Sequence, residues 1–149
     1  PVWITAILVF TMFVITQKTV LGRYIYAIGG NESAAFLSGI NVEKVKRQVY
    51  MLAGALSAIG GLIITSRLDS AQPNAGMGFE LDSIAAVVIG GTSLSGGKGS
   101  VLGTVQGALI IGVLNNSLVL LNVSPFWQQV IKGLVILLAV ITDKMSSKK

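Results

Sequence analysis

The sequence predicts an all-α, polytopic transmembrane protein with about five spans, one of them short and broken, and a short cytoplasmic helix in its first polar loop. Two observations carry this. The 149 residues are 52% hydrophobic and 11% charged, with a mean hydropathy of +0.77, against roughly 25% charged residues in an average soluble domain. Charge is also absent from long stretches: residues 1–16, "PVWITAILVFTMFVIT", and 99–131 carry none. A soluble core helix keeps a polar stripe, so hydrocarbon is the solvent such runs suit.

Four apolar runs, about 2–16, 48–66, 101–121 and 126–142, approach the ~17–25 residues that cross a bilayer. The first begins at Pro1 with no charged region ahead of it and no small-residue cleavage site after it. The expectation is therefore a single domain, 1–149, forming the C-terminal part of a longer membrane protein. Five of the 11 basic residues (Lys18, Arg23, Lys44, Lys46, Arg47) fall within the loop 17–47, and three (Lys144, Lys148, Lys149) in the last six residues. Both clusters flank apolar runs as cytoplasmic segments do. If both are cytoplasmic, the chain leaves at 48–66 and must cross an odd number of times before Lys144. Residues 81–97 are then a third crossing: a helix over "LDSIAAVVIGG" of about 16 Å, continued by extended backbone through "TSLSGG". A re-entrant loop over 81–100 is the rival, and would place the Lys-rich tail outside. Trp3 and Trp127 fall near outer ends as interfacial anchors. Lys132, five residues beyond Trp127, either snorkels outward or faces a pathway.

Composition excludes several chemistries. With no Cys and no His, disulfides, cysteine-ligated metals and most zinc or histidine general-base chemistry are absent. The net charge of +5 and pI near 9.8 follow loop topology rather than a nucleic-acid-binding face. The glycine-rich "GGTSLSGGKGS" fails the phosphate-loop pattern, because Thr92 stands at the first glycine position and Gly99 follows Lys98. The chain is expected to hold no cofactor and no nucleotide of its own.

Other patterns have local physical readings. Asn31 can cap a helix from Glu32 through Ser33, Ala34, Ala35, Phe36, Leu37 and Ser38, with Gly39 stopping it and Glu32 favoured at its N-terminal end. A helix of two turns needs a surface to lie on. Ala34 and Ala35 offer a smooth face, Phe36 and Leu37 can fill a hole, and Glu32 can meet a cation; docking to a cytoplasmic partner and packing on its own subunit are both open. Asn41 can cap a second helix that runs into the span 48–66. Gly99, Gly103 and Gly107 recur every four residues as a helix-packing face, within the chain or across a dimer. Gln106, Asn115 and Asn116 are polar in an apolar span, serving interhelical hydrogen bonds or a hydrophilic route. The outer loop 67–82 carries Arg67, Asp69, Glu80 and Asp82.

Two segments, "GRYIYAIGGNESAAFLSGI" and "SAQPNAGMGFELDSIAAVVIGGTSLSGGKGSVLGTVQGALIIGVLNN", resemble the sugar-type permeases of bacterial ABC importers, and the resemblance covers essentially the whole chain. It implies an inner-membrane permease subunit, not an enzyme, for ribose or a similar monosaccharide, with a cytoplasmic C-terminus. Its implied partners are ATPase subunits that bind the ATP, a periplasmic or lipid-anchored sugar-binding protein, a second permease copy and membrane lipid. It further implies that residues 31–39 dock on the ATPase, and that Arg67, Asp69, Glu80 and Asp82 help receive the binding protein. The family motif usually carries an acidic or polar residue where Ser33 stands and often a basic one near Phe36, so ion pairs need not dominate here. An ion-coupled secondary transporter is the alternative, but no carboxylate is expected deep in a span. A membrane-embedded enzyme would need an acid, base or metal constellation, and none is visible in the sequence.

Overall fold

The computed structural model describes residues 2–70 and 72–146. Lys148 and Lys149 of the terminal basic cluster lie outside the described residues. Among the described residues seven helices follow in order: α1 (Val2–Lys18), α2 (Val20–Gly30), α3 (Glu32–Leu37), α4 (Val42–Leu68), α5 (Phe79–Ile89), α6 (Val101–Leu120) and α7 (Pro125–Ser146). The all-α, polytopic reading holds. The helices α4 and α6 are long and apolar enough to cross a membrane, α1 and α2 pass the same test as a pair bent by 71°, and the apolar part of α7, Pro125–Ile141, is shorter. The chain forms two compact units, Pro1–Met77 and Gly78–Lys149.

In the first unit, the hydroxyls of an apolar helix are satisfied by its own backbone. Thr11 donates to the carbonyl of Ile7 at 2.8 Å and Thr16 to that of Met12 at 2.9 Å, so these hydroxyls offer lipid no unpaired donor. Thr19 makes the bend. Its hydroxyl donates to Ile15 of α1 at 2.6 Å and accepts the Gly22 N–H that opens α2 at 3.3 Å. Gly22 packs on the backbone of Ile15 and Thr16, where a Cβ would overlap carbonyl oxygens. The helix α2 thus occupies residues expected to be loop; three glycines lower its intrinsic propensity, and packing on α1 overrides that.

Asn31 links α2 to α3 by using both its groups. Its N–H closes α2 on the Ala27 carbonyl at 3.1 Å, and its side chain accepts from Ala34 N–H at 2.9 Å. After Leu37 the chain reverses with Gly39 at φ +83°, a left-handed conformation that costs a non-glycine residue about 1–2 kcal/mol. Asn41 then caps α4, accepting from Lys44 N–H at 3.0 Å. Both caps and the glycine stop fall where the sequence puts them. From that cap α4 continues unbroken for 27 residues, merging the polar "VEKVKR" and the apolar span into one rod.

The second unit is built around α5. Ala85, Ala86 and Ile111 are its buried core, joined by Ile89 and Ile136, so α5 packs on both α6 and α7. It lies antiparallel to α6: Gly103 sits against Gly90, and Gly107 against Ala86, with backbone so close that neither glycine has room for a Cβ. The expected glycine face therefore finds its partner within the chain at Gly103 and Gly107. Gly99 does something different, lying in the preceding turn against the Thr92 side chain.

The segment after α5 differs from expectation. Residues 92–97 do not form an extended leg: Ser93 N–H donates to the Lys98 carbonyl at 3.0 Å, and Gly91, Gly96 and Gly97 take positive φ. The chain turns back at once, and Ser100 caps α6 by accepting from Gly103 N–H at 3.1 Å. The physical reason is that the Gly103 and Gly107 face holds the start of α6 beside the end of α5, leaving no distance for extended backbone to span.

Candidate functional site

Two places gather the polar and exposed residues that the sequence singles out. The first is the lobe built by α3. Its cap and turn hold Ala35 buried at 5% exposure while Phe36 and Leu37 stand out at 67% and 84%. Ala34 alone of the two alanines faces outward. An open groove of about 1240 Å³ runs between α3 and the start of α4, with Phe36 and Leu37 on one wall and Val42, Glu43 and Lys46 on the other. Glu32 meets its cation across this turn: Lys46 Nζ donates to both carboxylate oxygens at 2.7 and 2.8 Å. The pair ties α3 to α4 but is half exposed, with side-chain exposures of 49% and 57%. Exposed pairs contribute about 0.2–1 kcal/mol. Lys46→Ala is therefore expected to lower stability by less than about 1 kcal/mol in a melting experiment, and the loss should shrink further in high salt.

The second place lies where α5, α6 and α7 meet. Asp82, in the first turn of α5, accepts the Asn115 amide N–H of α6 on Oδ2 at 3.0 Å, while Lys132 Nζ of α7 lies 2.7 Å from Oδ1. That separation makes a close ion pair, and Oδ1 has no hydrogen bond besides it among the described residues. The side chains of Lys132 and Asp82 are 13% and 20% exposed. Asn115 Oδ1 is buried and has no donor among the described residues. A carboxylate, an amide and an ammonium from three helices thus form one polar cluster inside an apolar bundle.

This arrangement revises two expectations and decides a third. Asp82 is engaged within the chain, so its carboxylate is not free on an outer docking face. Lys132 neither snorkels alone nor faces an open route, because a nearby carboxylate compensates its charge. Asn115 makes an interhelical hydrogen bond, one of the two roles open to it. The sequence carries a usable signal that the loop assignment hides: one anion and one cation, each within two turns of the N-terminus of an apolar helix, are cheapest in lipid when paired.

The remaining candidates are not members of this cluster. Arg67 and Asp69 are exposed at the end of α4, with Asp69 in the left-handed region at φ 50°, and Glu80 is exposed in the first turn of α5. Gln106 and Asn116 are exposed on α6, on the stripe that also presents Val113. Among the described residues no group of three or more His, Cys, Asp or Glu side chains is placed to hold a metal ion.

Known proteins share this sequence over nearly its full extent. Residues 2–140 match the family described as branched-chain amino acid transport system / permease component. The chain is 58% identical over its whole length to the ribose import permease protein of Haemophilus influenzae, covering 46% of that protein. It is 60% identical over 97% of its length to the ribose import permease protein of Bacillus subtilis, covering 45% of it. Against the xylose transport system permease protein of Haemophilus influenzae it is 52% identical over its whole length, covering 40%. No solved structure matches. The chain thus spans somewhat less than half the length of these curated relatives. A family match over nearly the whole chain, on an all-α bundle with bilayer-length apolar helices, makes this protein a member of that permease-component family.

Proposed function

We propose that the chain is the C-terminal half of the membrane subunit of an ABC importer, carrying ribose or a similar monosaccharide across the bacterial inner membrane. ATP is hydrolysed on separate cytoplasmic subunits and a sugar-binding protein delivers the cargo from outside; a second permease copy completes the pathway. The observation that carries the mechanism is the continuity of α4. A short capped helix with two large apolar side chains exposed is joined through Glu32 and Lys46 to a 27-residue rod of about 40 Å. Motion imposed on Phe36 and Leu37 therefore enters α4 across the short turn 38–41 and the Glu32–Lys46 pair, and from there runs along one unbroken helix. Ser33 and Phe36 carry no charge, so the docking contact is mainly apolar insertion, with Gly39 setting the reversal that presents it.

The topology that fits this role keeps α3 and the end of α7 on the cytoplasmic side. Because the 90–100 turn lies beside the start of α6, α5 and α6 run in opposite senses. Arg67, Asp69 and Glu80 remain candidate contacts for the binding protein. Gln106 and Asn116 are candidates for the pathway or for partner helices, since both stand exposed on α6.

The test uses vesicles containing a full-length permease with this sequence, its ATPase and its binding protein. Labelled ribose enters when ATP is supplied, and an imposed ion gradient alone drives no uptake. Leu37→Asp lowers ATP-driven uptake by about tenfold or more, the loss expected for an interface anchor, while the protein still inserts. Uptake of a different sugar only would change the substrate, and gradient-driven uptake without ATP would replace this mechanism by secondary transport.

A further inference from the structure

We propose that the surface formed by α2 and the first turns of α4 is a binding site for anionic phospholipid headgroups. Depth is the first observation. The 27 residues of α4 measure about 40 Å against a hydrocarbon core of about 30 Å. The excess of some six residues corresponds to its polar start, Val42–Arg47, which places Lys44 and Arg47 at headgroup level. The 71° bend at Thr19 is the second. It turns α2 away from the axis of the apolar α1 at Lys18, the first charge in the chain, and so carries Arg23 and Tyr24 along the membrane surface rather than out of it.

Charge balance is the third observation. Lys46 is taken by Glu32. Lys18, Arg23, Lys44 and Arg47 are exposed and form no ion pair among the described residues, with Glu43 the one uncompensated carboxylate nearby in sequence. A groove of about 360 Å³ lies between the two helices. Leu21, Ile40 and Val45 give it apolar surface, and Tyr24, Lys44 and Gln48 supply hydroxyl, ammonium and amide groups. An ammonium and polar donors beside an apolar wall suit a phosphodiester attached to acyl chains better than free phosphate or an acidic peptide, which would leave the apolar wall unused. A lipid held here would brace the bend between α1 and α2.

The experiment is native mass spectrometry of the full-length permease carrying this sequence, released from micelles containing equal phosphatidylglycerol and phosphatidylcholine. The wild type should retain phosphatidylglycerol in preference by at least about fivefold, as one headgroup-level cation implies. The double variant Arg23→Gln/Lys44→Gln should fall at least about fivefold below the wild type. Lys98→Gln, in the 90–100 turn, should keep the wild-type preference. Parity in the wild type, or an equal loss in the Lys98 variant, would overturn the assignment. No transport is involved in this readout, so its failure leaves the import mechanism standing.

Discussion

Lys132→Met is expected to destabilise the α5–α6–α7 unit by about 3 kcal/mol, the scale of breaking a buried ion pair by removing one partner. The variant strands the Asp82 carboxylate among apolar side chains with only the Asn115 N–H to stabilise it. Asp82→Leu should cost a similar amount by stranding the Lys132 ammonium, reduced to the extent that its long stem lets it reach the interface. The informative variant is the double one. Replacing both groups by apolar residues of similar volume removes the attraction and both desolvation penalties together, so Asp82→Leu/Lys132→Met should recover most of the stability lost in either single variant. Melting temperatures of the three proteins in lipid nanodiscs give the comparison. Simple additivity of the two losses would mean that the groups do not act as a pair.

The second large effect belongs to Gly107. A Cβ there would overlap the Ala86 carbonyl oxygen, which is backbone and cannot move aside as a flexible side chain would. Gly107→Val must therefore push α5 off α6, at about 3 kcal/mol, the upper part of the range for overpacking. Separation at this point also strains the Asp82 contact farther along the same pair of helices, since Asn115 and Gly107 both belong to α6. Gly112 supplies the control. It lies on the same helix, and a Cβ added there would meet nothing within 4 Å, so Gly112→Ala should be neutral or raise stability by up to about 1 kcal/mol through helix propensity. Protease resistance of the second unit, measured for both variants, should fall for Gly107→Val only. Equal behaviour would show that the close approach at Gly107 does not govern the packing.

How much of this is legible in the sequence depends on the range of the interaction involved. Asn31, Gly39 and Asn41 act on backbone groups within five residues, so their caps and reversal can be placed from residue type alone. The helix α2 is not legible, because Gly22, Gly29 and Gly30 argue against a helix and its stability comes from close packing on the backbone of α1. The 92–97 turn escapes the sequence for a related reason: chain length shows that an extended leg could cross, but not that α6 holds the chain back beside α5.

The sequence by itself determined the solvent, the secondary structure class, the main apolar helices and the local signals that bound α3, because hydropathy and capping are properties of neighbouring residues. Only the tertiary structure decided that Gly103 and Gly107 pack on α5 rather than on another copy, and that Asp82, Asn115 and Lys132 share one cluster. Those residues come from three separate helices, and a buried charge takes whichever partner the fold brings within a few ångströms, a distance that spacing along the chain does not specify.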